Sequence, residues 1–231
     1  MAYDFDKIAP TYDRLNHLMT MGIDRGWRSR TVIKIADRER PLHYLDMATG
    51  TGDLAQDIMR YAHPDSLLTG IDLSQPMMDI AKSKIGGDSR IAKASQRLTL
   101  QQGDAEHIEY ADETFDRVSV GFGVRNFVNL QQGLNEMSRV LKKGGKLAVL
   151  ELSYPDNPVL LWGYKLYALR FLPWIGERIS HDRAAYEYLP NSILRFPKPD
   201  RFIPMLRQAG FTHIDHYSFT LGVCRLYVAQ K

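Results

Sequence analysis

Three short runs in this chain each end in an aspartate. His43-Tyr44-Leu45 leads into Asp46, Leu67-Leu68-Thr69-Gly70-Ile71 into Asp72, and Leu98-Thr99-Leu100-Gln101-Gln102-Gly103 into Asp104. A fourth run, Phe115 to Val120, enters Gly121-Phe122-Gly123, and a fifth spans Lys146 to Leu152. Between them, apolar residues recur at helical spacing: Leu54, Ile58 and Met59, then Met77, Met78, Ile80 and Ala81, then Leu130, Leu134, Met137, Val140 and Leu141. Strands alternating with helices predict an α/β fold, an open and mostly parallel sheet with helices on both faces. Ligands of such sheets lie beyond the carboxyl ends of the strands, where the strand order changes direction. Asp46, Asp72, Asp104 and Gly121 all fall at those ends. That shared edge is the reason to treat four scattered residues as one site.

The sharpest local signal follows Asp46. Ala48-Thr49-Gly50-Thr51-Gly52-Asp53 reads as a glycine turn between a strand and a helix, with Asp53 as its N-cap. Glycines at Gly50 and Gly52 let the chain bend sharply and let a ligand approach closely. Two nucleotide ligands suit the turn. Gly50-Thr51-Gly52-Asp53-Leu54-Ala55 fits the G-x-G-x-x-A pattern of nicotinamide cofactors, and Asp72 is an acid at the spacing used for a ribose. S-adenosylmethionine suits it too, having an ammonium, a carboxylate and a sulfonium but no pyrophosphate.

The rest of the chain favours the methyl donor. After a helix from Pro199, closed by Gly210, the chain ends in two runs, Thr212 to Phe219 and Val223 to Ala229. The short link Thr220-Leu221-Gly222 makes them an antiparallel hairpin, where a nicotinamide fold would more often add a second mononucleotide half. Ser74-Gln75-Pro76 is expected to cap the second helix, and Lys142-Lys143-Gly144-Gly145 to close the helix before the fifth strand. Met21-Gly22-Ile23-Asp24 reads as a break and a new cap. One domain over 1–231 is expected, with a helical preface at 4–37 and an aromatic-rich helical insert at 154–198.

Composition excludes several classes. The 231 residues are 44% hydrophobic and 25% charged, as in an ordinary globular protein. A net charge of +3 without a basic tract argues against nucleic acid. The single cysteine, Cys224, excludes an internal disulfide, and no metal-ligand cluster is evident. The acidic, amphipathic amino terminus is no secretory signal, and no apolar run is long enough to span a membrane. A cytoplasmic protein is the expectation. The insert, with Trp162, Tyr164, Phe171 and Trp174 beside Lys165 and Arg170, suits an apolar pocket, a core, or a peripheral membrane contact. Self-association as a homodimer is left open.

Tyr12-Asp13-Arg14-Leu15-Asn16, Gly22-Ile23-Asp24-Arg25-Gly26-Trp27, Gly121-Phe122-Gly123-Val124-Arg125-Asn126 and the stretch from Arg139 to Ser153 carry a closer likeness. With the glycine turn, they resemble the ubiquinone/menaquinone biosynthesis C-methyltransferases, from about Tyr3 to the carboxyl terminus. Departures are Lys143 in place of proline, Asp24 in place of histidine, and Gly121 in place of a serine found in some members.

The resemblance implies a class I S-adenosylmethionine-dependent methyltransferase fold, with one edge strand reversed. It implies donor contacts at Thr51, at Asp72 for the ribose, and at Asp104 with Ala105 for the adenine, joining Asp46, Gly50, Gly52 and Gly121. It implies methyl transfer to a ring carbon of a polyprenylated quinol drawn from the inner face of a membrane. Demethylmenaquinol is preferred over the ubiquinone precursor because the chain begins close to the Tyr12 motif, and another apolar small molecule is the further alternative. Arg125 and Asn126, just past the fourth strand, are the catalytic candidates, Arg125 as a phenolate-stabilising cation. Tyr12 and Asn16 are expected to close over the acceptor, and His181 with Asp182 offers an acid/base pair.

Overall fold

A computed structural model describes residues 6, 9–10, 12–13, 16, 20–88, 91, 96–167 and 183–231, with the backbone alone for 183–187. The strands are β1 (His43–Met47), β2 (Leu67–Asp72), β3 (Leu98–Gln102), β4 (Phe115–Gly121), β5 (Leu141–Leu152), β6 (His213–Phe219) and β7 (Cys224–Gln230). The helices are α1 (Asp24–Ile35), α2 (Asp53–Tyr61), α3 (Gln75–Gly87), α4 (Leu130–Val140), α5 (Pro158–Leu166), α6 (Arg183–Arg195) and α7 (Pro199–Gln208). The strands make one sheet in the order β3-β2-β1-β4-β5-β7-β6. β1 pairs in parallel with both β2 and β4, so the chain order reverses direction between them and opens a crevice at their carboxyl ends. This is the fold of class I S-adenosylmethionine-dependent methyltransferases.

Alternate residues of the central strands feed two cores. Leu147 and Val149 of β5 pack on one face with Met137, Phe202 and Leu206. Ala148 and Leu150 pack on the other with Val32, Leu54 and Ile58. A strand sandwiched between two helical layers must be apolar on both sides, which is why Leu147-Ala148-Val149-Leu150 of β5 is a continuous hydrophobic run. Each large side chain so buried contributes about 1.5–3 kcal/mol.

The reversed strand is β7, antiparallel to β5 on one side and to β6 on the other. It therefore sits one place inside the sheet, and the edge strand β6 runs with the rest. The helix expected to run up to Lys142-Lys143-Gly144-Gly145 ends at Val140. Leu141 is already extended and pairs with Phe115, followed by a bulge before Lys146 pairs with Arg117. Lys142 reaches Asp116 at 2.8 Å, and Gly144, at φ 74°, donates its N–H to the Lys231 carbonyl at 2.9 Å. These residues close a sheet edge where a helix cap was expected.

The preface is helical at Tyr12, Asp13, Asn16 and Thr20. Met21 and Gly22 then turn the chain through left-handed backbone, φ 51° and 75°. Asp24 is the first residue of α1 and makes no cap. It is buried, accepting the Thr20 hydroxyl at 2.7 Å and pairing with Arg28 at 2.5 Å. Ser74 does cap α3, accepting from the Met77 N–H at 3.3 Å.

In the insert, Asn157 caps α5 by accepting from Val159 and Leu160, and none of the α5 residues is buried. Phe171, Trp174, His181 and Asp182 lie outside the described residues. No helix among the described residues is long and apolar enough to cross a membrane.

Candidate functional site

The glycine turn after β1 is built on left-handed backbone. Gly50 has φ 55° and Gly52 φ 79°, a region that costs an L side chain strain. A Cβ on Gly50 would meet nothing within 4 Å, so the bend opens onto free space and is not plugged by the protein. Gly52 serves a different end. A Cβ there would stand 2.8 Å from that of Ala81, so this glycine lets α2 and α3 pack closely. Gly52 also occupies the cap position of α2. Asp53, expected as the cap, is instead the first helical residue and bridges to Lys84 at 2.5 Å and Arg28 at 3.2 Å.

Two adjoining cavities lie over the sheet edge. The larger, about 330 Å³, is lined by Gly50, Asp72, Asp104, Ala105, Gly121 and Asn126. The smaller, about 60 Å³, is lined by Asp46, Thr51, Asn16 and Arg125. Tyr12, Ala48, Gly50, Gly121 and Phe122 line both. Asp72 and Asp104, from separate strand ends, thus open onto one space, while Asp46 faces its smaller neighbour. Gly52 lines neither, and His181 lies outside the described residues.

Asp72 is held from both sides. One carboxylate oxygen accepts from the Gly50 N–H and the other from the Ser74 N–H, each at 2.8 Å. Burial raises its pKa, and these N–H groups offset only part of the rise. Asp104 is 46% exposed at its side chain and accepts from the Glu106 N–H at 2.9 Å.

Asp46 is fully enclosed. It accepts the Ser119 hydroxyl at 2.6 Å and the Thr49 hydroxyl at 2.8 Å, and burial pushes its pKa up to about 6. The folded protein therefore binds a proton at Asp46 more tightly than the unfolded chain does. Its stabilising contribution is complete below pH 3.8 and is lost as pH rises through about 6. Asp46→Asn should match wild type near pH 4 and exceed it near pH 7 by about 3 kcal/mol, or roughly 5–10 °C in melting temperature. Thermal scans of both proteins across this range check it, and an equal gap at both ends would refute it.

The preface reaches down to this edge. Asp13 accepts the Thr51 hydroxyl in a very short hydrogen bond and pairs with Lys84 at 2.6 Å. Asp6 accepts the Ser74 hydroxyl at 2.5 Å. Tyr12 sits between the two cavities, and burial raises its pKa.

Past β4 the chain is tightly constrained. Phe122 adopts φ 58°, unusual for a bulky residue, and its ring meets Trp27 of α1 edge-on at 6.4 Å. A Cβ on Gly123 would come within 2.6 Å of that of Ala48, so only glycine lets the ends of β1 and β4 approach this closely. Val124–Asn126 then form a short 3-10 turn.

Arg125 is no free cation. Its guanidinium pairs with Glu151 at 2.7 Å, its backbone N–H donates to the same carboxylate at 3.2 Å, and both side chains are buried. Glu151 neutralises the charge, so Arg125 offers a ligand directional N–H groups and little net field. Asn126 accepts from the Tyr188 hydroxyl of α6 at 2.9 Å.

Glu151, Asp13, Lys84 and Tyr188 did not emerge from the sequence. One signal was present for Glu151, an acid inside the apolar run Val149-Leu150-Glu151-Leu152, where a charge is rarely buried unless paired. Among the described residues no group of three or more histidines, cysteines or acids is placed to hold a metal.

Residues 2–231 match the model of the ubiE/COQ5 methyltransferase family. The chain belongs to this family. The demethylmenaquinone methyltransferase of Bacteroides fragilis is 38% identical over 227 residues, covering 98% of this chain and 90% of that one. The ubiquinone/menaquinone biosynthesis C-methyltransferase UbiE of Syntrophotalea carbinolica is 44% identical over 223 residues, covering 96% and 90%. A solved S-adenosylmethionine-dependent methyltransferase of Thermotoga maritima superposes with a TM-score of 0.68 at 18% identity, covering 98% of each chain, and shares the fold.

Membership makes the chain an S-adenosylmethionine-dependent C-methyltransferase of quinone biosynthesis and sets the nicotinamide reading aside. The larger cavity fits the donor: its volume is in the range of small-molecule sites, and it combines an open glycine bend with a buried carboxylate.

Proposed function

We propose that this enzyme transfers the methyl group of S-adenosylmethionine to a ring carbon of a polyprenylated quinol, with demethylmenaquinol as the acceptor. The observation that carries the reading is the continuity of the two cavities. Asp72, Asp104, the open glycine bend and Asn126 line the larger cavity, Arg125 lines the smaller, and Tyr12, Ala48, Gly50, Gly121 and Phe122 line both. Asp72 accepts from the ribose hydroxyls, while Asp104 and the Ala105 N–H read the adenine. Asp46 faces the ammonium, and Thr51 lines the methionine end.

The sulfonium supplies an electrophilic methyl group. The chain's own work is to align, exclude water and manage protons. A hydroquinone carbon is a weak nucleophile until the neighbouring hydroxyl is polarised or ionised. Arg125 and Asn126 donate hydrogen bonds to that oxygen, and Tyr12 and Asn16 close over the pair. Loss of the ring proton after transfer restores aromaticity. The acceptor's tail suggests delivery from a membrane surface. Val159, Trp162 and Leu166 of α5 are 76%, 71% and 53% exposed beside Lys165, which supports a peripheral contact.

The relatives' names support demethylmenaquinol. The Syntrophotalea carbinolica relative, whose name covers both quinones, keeps the ubiquinone-precursor benzoquinol as the second reading. Purified enzyme given labelled donor and either reduced quinone decides between them. Label in menaquinol is expected. Label only in the benzoquinol favours the alternative, and label in neither refutes both. Cells lacking the protein should accumulate a quinone short by one methyl.

A further inference from the structure

The helix α6 belongs to the apolar insert, yet one of its residues reaches the proposed catalytic pair. The Tyr188 hydroxyl donates to the amide oxygen of Asn126 at 2.9 Å, across 62 residues of sequence. A carboxamide has one end that accepts and one that donates. Tyr188 occupies the accepting end. Among the described residues no acceptor is paired with the donating nitrogen, and the Asn126 side chain lines the larger cavity. Burial raises the Tyr188 pKa, so its hydroxyl keeps the proton it donates. The backbone below is fixed too. The Asn126 N–H donates to the Gly123 carbonyl at 3.0 Å, and the preceding Arg125 is clamped to Glu151.

We propose that Tyr188 is a positioning residue for methyl transfer: its hydroxyl pins the Asn126 amide oxygen, so that Asn126 turns its N–H donor to the acceptor. This rests on the reading that the quinol oxygen lies beside Asn126. An amide free to rotate presents either an acceptor, which suits a neutral phenol, or a donor, which suits a phenolate. Fixing the donor face selects the ionised quinol oxygen, the form whose ring carbon is nucleophilic. A preset dipole of this kind costs no reorganisation as charge develops. The arrangement also ties the turn after β4 to the insert, so docking of α6 and readiness of Asn126 are one event.

A double-mutant cycle with Tyr188→Phe and Asn126→Ala tests the role, read by transfer of labelled methyl to demethylmenaquinol. Tyr188→Phe should lower kcat roughly 10- to 100-fold. The KM for the quinol and the calorimetric affinity for S-adenosylhomocysteine should stay within about twofold, because Tyr188 lines neither cavity. In the Asn126→Ala background, single-turnover rates should change by less than about twofold on adding Tyr188→Phe, since the group it orients is gone. A wild-type kcat in Tyr188→Phe, a loss carried by KM, or an equal loss in both backgrounds overturns the proposal. Wild-type enzyme that labels no quinol overturns the underlying reading together with this one. Wild-type turnover beside an indifferent Tyr188→Phe removes the role of Tyr188 alone.

Discussion

Asp72→Ala is expected to weaken S-adenosylmethionine binding by about 100-fold or more, measured by calorimetry. A carboxylate accepting from two ribose hydroxyls makes charge-assisted hydrogen bonds, each worth about 1.5–3 kcal/mol, and every 1.4 kcal/mol is roughly tenfold in affinity. The loss compounds, because the same carboxylate anchors the Gly50 and Ser74 N–H groups. Removing it loosens the bend onto which the proposed adenosine site opens. Asp104→Ala should cost less, about tenfold, because its half-exposed carboxylate competes with water for the same partner. An unchanged dissociation constant in folded Asp72→Ala would count decisively against the adenosine site.

Glu151→Gln is expected to lower both stability and turnover. It leaves the Arg125 guanidinium buried with no opposing charge, a situation that costs about 3–5 kcal/mol. In a chain of this size that is a fall of roughly 10 °C in melting temperature. Turnover should fall with it, as Arg125 loses the carboxylate that fixes both its guanidinium and its backbone N–H. Replacing both partners, Arg125→Met with Glu151→Met, should restore most of the stability and none of the activity, since a buried pair is often no more stable than apolar side chains of like volume. A Glu151→Gln protein melting within about 2 °C of wild type would show that the pair is not buried as described.

What could be read in advance follows from periodicity. The strands sandwiched between helical layers leave a plain hydrophobic signature, so the sheet, the Ser74 cap and the terminal hairpin were all visible. The features that went unread are those that depend on which strands become neighbours. Nothing local tells whether β6 or β7 will pair with β5, so the reversed strand was placed at the edge. Lys142-Lys143-Gly144-Gly145 has the composition of a helix terminus, and only pairing with Asp116 and Lys231 makes it a strand bulge.

Among the site residues, those at strand ends were legible because topology collects them on one edge. Their partners were not. Asp13 and Lys84 meet at Thr51 from distant parts of the sequence, and Tyr188 meets Asn126 across the insert. Arg125 was identified for its charge, yet Glu151 cancels that charge and leaves geometry as its contribution.

The place of β7 governs the order in which this molecule can be completed. It is the last of the seven described strands in sequence order, yet it has a neighbour on either side. Until a ribosome has delivered residues 224–230, β5 presents a bare row of amide and carbonyl groups, and β6 has nothing to join. The nascent protein must therefore shelter an unpaired, strongly apolar border while residues 153–223 are made. Shortening the chain by even this one segment would unseat two strands instead of trimming one.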